Sequence, residues 1–242
     1  MTTLIIGASG ATGRLLVQEL LNRGETVKIV VRSLDGLPAA VRNHPNLSVI
    51  QASILDLSGA EMAKHVQGCR AVASCLGHNL NFKGMFGAPR RLVTDAIRRL
   101  CHAVRENESE VPVKFVLMNT AGNSNRDLDE HISFSQKCVM AVLRLGLPPH
   151  LDNEKAADHL RINVGQNDPA IEWVAVRPDG LTDECSVTEY ATHGSPTRSA
   201  IFDAGSTSRI NVADFMANLI HDDATWQMWK GKMPVIYNKE SA

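Results

Sequence analysis

Residues 2–33 of the chain read TTLIIGASGATGRLLVQELLNRGETVKIVVRS. The short apolar run at 4–6 predicts a strand that is buried on both faces of a parallel sheet. Three glycines follow it and open a helix from about 11 to 23, which Gly24 is placed to stop. A second strand is predicted at 27–31. Strand, glycine turn, helix and strand in this order indicate a dinucleotide-binding βαβ unit.

The spacing G-x-x-G-x-x-G assigns a separate task to each glycine of the turn. Gly7 lets the chain leave the strand sharply, Gly10 has no Cβ where a pyrophosphate approaches, and Gly13 lets the helix pack closely on the strand. The helix N-terminus offers unpaired N–H groups and a positive dipole end to phosphate. The alternative is a tight turn that binds no ligand. The cofactor contacts predicted in this turn are Gly7, Ser9, Gly10, Ala11, Thr12, Gly13 and Arg14.

The end of the second strand indicates which nicotinamide cofactor is bound. NAD-binding proteins place an Asp or Glu near this point to bind the ribose 2′-OH. Here the strand ends in Arg32-Ser33, and the nearest acid is Asp35. A guanidinium and a hydroxyl suit a 2′-phosphate, and Arg14 offers a second cation. The sequence thus predicts NADP(H), unless Arg32 is only a solvated residue at a strand end.

The composition is typical of a single α/β domain that spans residues 1–242. The chain has 25 basic and 26 acidic residues, which gives no electrostatic support for nucleic-acid binding. No apolar run approaches the roughly 18 residues of a membrane span. The five cysteines are scattered, and the first strand begins too close to Met1 for a signal peptide, so we expect a cytoplasmic protein with reduced thiols. No histidine or cysteine cluster predicts a metal site.

Strand and helix alternate along the rest of the chain, which predicts a Rossmann-type doubly wound parallel sheet with right-handed crossovers. Further strands are predicted at 46–51, 71–76, 113–118, 171–177 and 233–237. Further helices are predicted from Ser58, where Glu61 completes a capping box, and at 89–106, 132–145, 152–163 and 210–221. The part from about 178 to 242 is expected to contribute to a substrate pocket, with the irregular stretch 180–199 as its wall.

Two loops follow strand ends, where open α/β sheets bind their ligands. The loop 77–89 contains Phe82, Met85 and Phe86, which are typical of a lid over a flat substrate or of a mobile surface loop. The polar stretch 119–125 is expected to face the nicotinamide half of the cofactor, with strand-end hydrogen bonding as the alternative.

Five motifs in this order resemble those of the atypical short-chain dehydrogenases/reductases, in the NAD(P)H-binding or NmrA-like branch. They are Gly-Ala-Ser-Gly-Ala-Thr-Gly-Arg at 7–14, Val-Arg-Ser at 31–33, Lys-x-x-x-His-Leu-Arg at 155–161, Trp-Val-Ala-Val-Arg-Pro-Asp-Gly-Leu at 173–181 and Arg-Ile-Asn-Val-Ala-Asp-Phe at 209–215. The resemblance spans roughly residues 2–238, and a looser one points to the flavin and biliverdin reductase type.

This resemblance implies a Rossmann sheet with a small C-terminal substrate-binding part. It implies that NADP(H) lies on the three glycines and Arg32, with Asp56 near the adenine and Leu76-Gly77 under the ribose. The Arg177-Pro178 step would pass beside the nicotinamide.

The chain departs from the family at the usual acid/base. Ordinary members carry Tyr-x-x-x-Lys, in which Tyr transfers the proton and Lys lowers its pKa. Lys155 matches the lysine, but the residue four positions before it is Leu151. The serine that accompanies this pair corresponds to Thr120 or Ala121.

Other side chains are therefore candidates for the chemistry. Lys155 can still hold the nicotinamide ribose, and His159, one turn further, can exchange a proton near neutral pH. Thr120 is the third catalytic candidate, and His150 and His78 are weaker proton donors. The alternatives are a solvated helix lysine and structural histidines.

The sequence thus predicts an NADP(H)-dependent oxidoreductase that passes a hydride to a small planar acceptor such as a quinone, a flavin or a conjugated carbonyl. The rival is a non-catalytic NADP(H)-binding sensor of the NmrA-like type, which the missing Tyr favours. An epimerase or dehydratase is disfavoured because that chemistry depends on the absent Tyr. Proteins of this fold commonly form homodimers, and we expect a homodimer here by that analogy alone, because the sequence adds little evidence about the oligomeric state.

Overall fold

The computed structural model of the chain describes residues 1–78 and 87–239. Its strands are β1 (Thr2–Ile6), β2 (Thr26–Val31), β3 (Leu47–Gln51), β4 (Ala71–Ser74), β5 (Val113–Met118), β6 (Ile171–Pro178), β7 (Gly180–Thr182), β8 (Tyr190–His193), β9 (Ser206–Ser208) and β10 (Val235–Asn238). Eight of them form one sheet in the order β3-β2-β1-β4-β5-β6-β10-β8, and β7 pairs with β9. Within the large sheet the neighbouring strands run parallel, except for β10 and β8, which are antiparallel. The predicted doubly wound parallel sheet is confirmed.

Helices cover both faces of this sheet. They are α1 (Ala11–Asn22), α2 (Ala39–Arg42), α3 (Gly59–Val66), α4 (Leu92–Arg105), α5 (Phe134–Gly146), α6 (Pro148–Asp158), a π-helix (His159–Val164), α7 (Arg209–His221) and α8 (Asp223–Trp229). One apolar layer joins the sheet to α3, α4 and α6, and the other joins it to α1 and α7. Strands buried on both faces need continuous apolar runs, and residues 4–6 of β1 are fully buried.

Most predicted elements are confirmed, including the capping box, in which the Ser58 side chain accepts from the backbone N–H of Glu61. The helix predicted at 89–106 begins only at Leu92. The helix predicted at 152–163 instead starts at Pro148, because proline is well placed in a first helical turn, and it becomes a π-helix at His159. The stretch 180–199, expected to be irregular, contains β7 and β8.

Parallel strands bring all their carboxyl ends to one edge of the sheet. The ends of β1 to β4 lie on one side of that edge, and those of β5 and β6 lie on the other. Phe82, Met85 and Phe86 of the predicted lid lie outside the described residues. No helix in the described ranges is both long and apolar enough to cross a bilayer.

Candidate functional site

The turn after β1 is closed by contacts that only glycine permits. Gly7 has a φ of +74°, and a Cβ there would lie 2.5 Å from the backbone carbonyl carbon of Cys75. A Cβ on Gly13 would lie 2.1 Å from the carbonyl oxygen of Gly7. The first and third glycines therefore have the tasks that their spacing predicted, namely a sharp turn and close packing of helix on strand.

The start of α1 has no side-chain cap, unlike the starts of α3 and α5. Its N-cap is Gly10, whereas Ser58 and Ser133 cap α3 and α5 with hydroxyl oxygens. The first N–H groups of a helix have no intrahelical partners and carry the positive end of its dipole. The turn therefore presents donors and positive potential to an anion.

A cleft of about 270 Å³ opens beside this turn, at the carboxyl ends of β1 to β4. It includes six of the residues predicted to bind the cofactor, and it has apolar walls from β2 and the start of α4. Burial raises the pKa of the Cys75 thiol in its wall to about 12, so this thiol stays protonated. The cleft is lined by Ile6, Gly7, Ser9, Gly10, Val30, Val31, Arg32, Ala52, Ser53, Ile54, Leu55, Cys75, Leu76, Gly77, Pro89 and Leu92.

Other predicted cofactor residues do not line the cleft. Thr12 and Gly13 are buried in the first turn of α1, while Ala11 and Arg14 are exposed. Asp56 is exposed in the loop after β3, although Ser53 to Leu55 just before it contribute to the wall.

The end of β2 combines a cation with a nearby acid. Arg32 is exposed and lines the cleft. Ser33 does not line it, and its hydroxyl donates to the Asp35 carboxylate over 2.6 Å. Of the predicted phosphate ligands at this strand end, Arg32 is thus the one that faces the cleft.

The end of β5 is held by a network of side-chain amides. Asn119 is buried, and its Nδ2 donates to the Asn153 carbonyl of α6 over 2.9 Å. Its Oδ1 accepts from the backbone N–H of Thr120 and from Nδ2 of Asn123. Asn119 and Asn123 thus fix the strand end, in line with the strand-end alternative. Thr120 is only half-buried, and its hydroxyl accepts from the N–H of Gly122 over 3.3 Å.

A histidine and a glutamate of α6 stand next to this strand end. His150 Nε2 lies 3.6 Å from Glu154 Oε1, and the Arg144 guanidinium makes a bidentate contact of 2.8 Å to both carboxylate oxygens. Burial alone would raise the pKa of Glu154, but the nearby His150 imidazole and the hydrogen bonds from Arg144 outweigh it and lower that pKa to about 2. The carboxylate is therefore ionised at neutral pH.

Asp152 is a buried acid that sequence reasoning missed. Its carboxylate accepts from the backbone N–H groups of Val93 and Thr94, at 2.8 and 2.9 Å, and so caps α4 from a distant helix. Oδ2 of the same carboxylate lies 2.8 Å from His78 Nε2. One signal was present in the sequence, because helical spacing places Asp152 on the same face as the buried Ala156 and Leu160.

The predicted catalytic residues Lys155, His159 and Thr120 lie on separate elements, and no hydrogen bond or ion pair joins them within the described ranges. Lys155 is exposed, and within the described ranges it forms no hydrogen bond or ion pair. His159 lies nine residues beyond His150, about 14 Å further along the helical axis. Its Nδ1 is 3.0 Å from Asn163 Oδ1. Burial lowers the pKa of His159. The separation of His159 from His150 along the helical axis argues against a role for His159 in proton transfer beside Thr120.

Arg177 has a structural role in place of the one expected beside the nicotinamide. It is fully buried and forms an ion pair of 2.7 Å with Glu130. All five guanidinium donors are used within the protein, so none remains for a cofactor. Their acceptors are Met233 O, Asn123 O, Gly194 O and the two carboxylate oxygens of Glu130. Pro178 is also buried, and its carbonyl accepts from the N–H of Ala121.

Comparison with known families agrees with this geometry. The model of a family described as NAD(P)H-binding matches residues 7–223. The chain belongs to this NAD(P)H-binding family. The match begins at Gly7 and includes the whole glycine turn, β2 and the cleft. Among curated proteins, none matches the chain.

Solved structures share the fold of this NAD(P)H-binding chain at low sequence identity. The oxidoreductase ylbE from Lactococcus lactis is 18% identical, with a TM-score of 0.69 over 100% of this chain and 93% of that one. A short-chain dehydrogenase/reductase from Veillonella parvula, in complex with NADP, is 16% identical with a TM-score of 0.71 over 98% and 94%. A candidate NADH-flavin reductase from Streptococcus pneumoniae TIGR4 is 17% identical with a TM-score of 0.66 over 99% and 100%. At these identities the likeness establishes the fold.

Proposed function

We propose that the protein is an NADPH-dependent reductase that passes a hydride to a small planar acceptor. The observation that carries this proposal is the cleft at the ends of β1 to β4, which combines an uncapped helix start with Arg32. Membership of the NAD(P)H-binding family supports the nucleotide half of the proposal.

The residues around the cleft fit such a cofactor. The N–H groups at the start of α1 suit the pyrophosphate, because Gly10 leaves the backbone open to its approach. Arg32 suits a 2′-phosphate, since its guanidinium donates in a rigid fork. The walls from β2 and from the loop after β3 suit the adenosine, with Leu76-Gly77 under the ribose. We assign Lys155 to the second ribose, because it is exposed and carries no partner in the described ranges.

When bound, the cofactor supplies the hydride, and the chain supplies orientation and a proton. The half-buried Thr120 hydroxyl lies at the end of β5, beside the strand ends that form the cleft. It is therefore our candidate for contacting the acceptor.

A second function is favoured by one feature, the apolar stripe on α5. Phe134, Val142 and Leu145 recur at helical spacing and are 82%, 68% and 90% exposed. Exposed apolar patches mark surfaces that bind partners. Together with Leu151 at the position of the usual Tyr, this stripe supports an NADP(H) sensor that binds the cofactor without turnover.

Fluorescence titration with NADPH and NADH tests the cofactor assignment. Loss of one charged phosphate contact costs about 1.5–3 kcal/mol, so we expect Arg32→Ala to raise the Kd for NADPH about 10-fold or more. The Kd for NADH should change less than about twofold, since NADH has no 2′-phosphate. Arg70→Ala is the matched control, because Arg70 is an exposed arginine outside the cleft and precedes β4, at the opposite edge of the sheet. If neither nucleotide binds, the glycine turn is only a turn and the proposed function fails.

Turnover separates the reductase from the sensor. The protein is mixed with NADPH and with 1,4-naphthoquinone, cyclohex-2-enone or FMN, and the loss of NADPH absorbance is followed. Oxidation of NADPH by any of these acceptors supports the reductase. Tight binding of NADPH without oxidation across the panel supports the sensor.

A further inference from the structure

Gly122 leaves a gap that three side chains surround. A Cβ built on Gly122 would lie 3.7 Å from Thr120 Oγ1, 3.8 Å from Met140 Cε and 3.9 Å from His150 Cε1. A hydroxyl and an imidazole therefore approach the same point from the strand end and from α6. Met140 closes the gap on its apolar side.

One nitrogen of the His150 imidazole faces Glu154, and the other faces no partner among the described residues. Its Nε2 is buried and faces Glu154 at 3.6 Å, longer than a hydrogen bond. Nδ1 has no hydrogen bond to a described residue, and the side chain is 13% exposed. Glu154 therefore lies beside the ring, where it can orient the imidazole.

The charge on Glu154 is itself stabilised. Arg144 binds both of its oxygens, and Arg126 lies 3.8 Å from Oε2. The side chain is 2% exposed, so the pair is largely shielded from solvent on the carboxylate side. Arg144 and Arg126 thus keep the carboxylate in place to orient the His150 ring.

The geometry points to His150 as the proton donor to a carbonyl acceptor held over Gly122, with Thr120 as its second hydrogen-bond partner and Glu154 as the positioning residue. This inference rests on the reductase function proposed above. It narrows the acceptor class to compounds whose reduced oxygen must gain a proton.

The step balances without a further reactant. When held by the glycine turn and Arg32, NADPH would supply the hydride that forms a C–H bond on the acceptor, and the electron pair of the opened π bond would move onto the carbonyl oxygen. The imidazolium N–H bond breaks and an O–H bond forms, which leaves neutral His150. Water returns the proton to the ring. One NADPH and one proton are consumed for each acceptor reduced.

Three variants test the donor. His150→Gln should lower kcat with 1,4-naphthoquinone or cyclohex-2-enone by about 100-fold or more, the usual contribution of a general acid. The Kd for NADPH, measured by fluorescence, should change less than twofold. Gly122→Ala should also lower kcat, because its methyl group fills the gap at ordinary contact distances without displacing its neighbours. Glu154→Gln should lower kcat about 10-fold and leave KM unchanged.

His102→Gln is the matched control. His102 also pairs with a glutamate four residues on, at 3.3 Å from Glu106, but lies on the exposed face of α4. It should keep wild-type kcat. A His150→Gln variant that retains its kcat with both carbonyl acceptors overturns the inference.

A binding measurement keeps the inference separate from the proposed function. Wild-type protein saturated with NADP⁺ is titrated with 2-naphthol, a planar phenol, while the imidazole NMR signal of His150 is followed. A shift that is lost in Gly122→Ala supports His150, and no shift, or the same shift in both proteins, overturns it. If the wild type binds NADPH but reduces no acceptor, the reductase function fails and this titration alone decides the assignment of His150.

Discussion

The two sides of the sheet edge are built by different kinds of contact. At the nucleotide side, the packing of α1 on the turn after β1 is set by Gly7 and Gly13, which are six positions apart. At the acceptor side, Asn119 is fixed by the carbonyl of Asn153, 34 residues away. Local geometry therefore shapes the glycine turn, whereas the acceptor side exists only after α6 has packed on β5.

This difference explains where the chain keeps its family features and where it departs from them. A glycine turn tolerates almost no change, because its backbone atoms already touch. A site assembled from side chains on separate elements can exchange one donor for another while the backbone stays the same. Leu151 in place of Tyr, with His150 beside it, is such an exchange in our proposal.

The largest effect should come from adding a side chain to the glycine turn on the nucleotide side. In Gly13→Ala the new Cβ meets the carbonyl oxygen of Gly7 at 2.1 Å, and the backbone must shift. We expect a loss of about 3 kcal/mol or more in the free energy of unfolding, measured by urea denaturation.

Gly59→Ala is the control for this substitution. Gly59 begins α3, and a Cβ there would meet nothing within 4 Å. The free energy of unfolding of this variant should equal that of the wild type or exceed it by up to about 1 kcal/mol. Equal losses in the two variants would mean that close packing at Gly13 does not shape the turn.

The next effect should come from the contact that joins the two sides. Asp152→Ala leaves the N–H groups of Val93 and Thr94 without this acceptor and removes one hydrogen-bond partner of His78. We expect a loss of about 2–3 kcal/mol in the free energy of unfolding. Asp152→Asn keeps one carbonyl oxygen and should lose less. If Asp152→Ala unfolds at the wild-type urea midpoint, the cap that Asp152 places on α4 does not contribute to the free energy of unfolding.

The smallest of the three effects should appear only in acid and belongs to the acceptor side. The pKa of Glu154 is lowered from 4.5 to about 2 in the folded protein. Its stabilisation is therefore complete above pH 4.5 and is lost as the pH falls from about 4.5 to about 2. The loss should be on the order of 2 kcal/mol, because the partly exposed Arg144 is screened by solvent.

Urea midpoints of the wild type and of Glu154→Gln, measured across this pH range, check the prediction. The difference between them should shrink as the pH falls through the range. Glu106→Gln, on the exposed face of α4, should instead follow the wild type at every pH. A constant difference between wild type and Glu154→Gln would contradict the role of its ionisation.

The parts that the sequence predicted are those whose causes lie close together in the chain. The glycine turn, the capping box of Ser58 and Glu61, and the apolar strands all follow from neighbours a few residues apart. Asp152 and Glu154 were missed as buried groups because their partners lie on other elements. Asp152 binds the start of α4, and Glu154 binds Arg144 of α5. His159 was preferred to His150 because its spacing from Lys155 is visible in sequence, whereas the approach of His150 to Gly122 requires the fold.

The cap on α4 also has a consequence in time. Asp152 is made 59 residues after Val93, whose N–H it accepts. At about 5–20 residues per second, a ribosome adds it roughly 3–12 s later. During that interval the start of α4, which forms a wall of the nucleotide cleft, lacks its acceptor. A nascent chain therefore completes its cofactor side only when the acceptor side has been synthesised, and a ribosome that stalls before residue 152 holds a cleft with one wall unfinished.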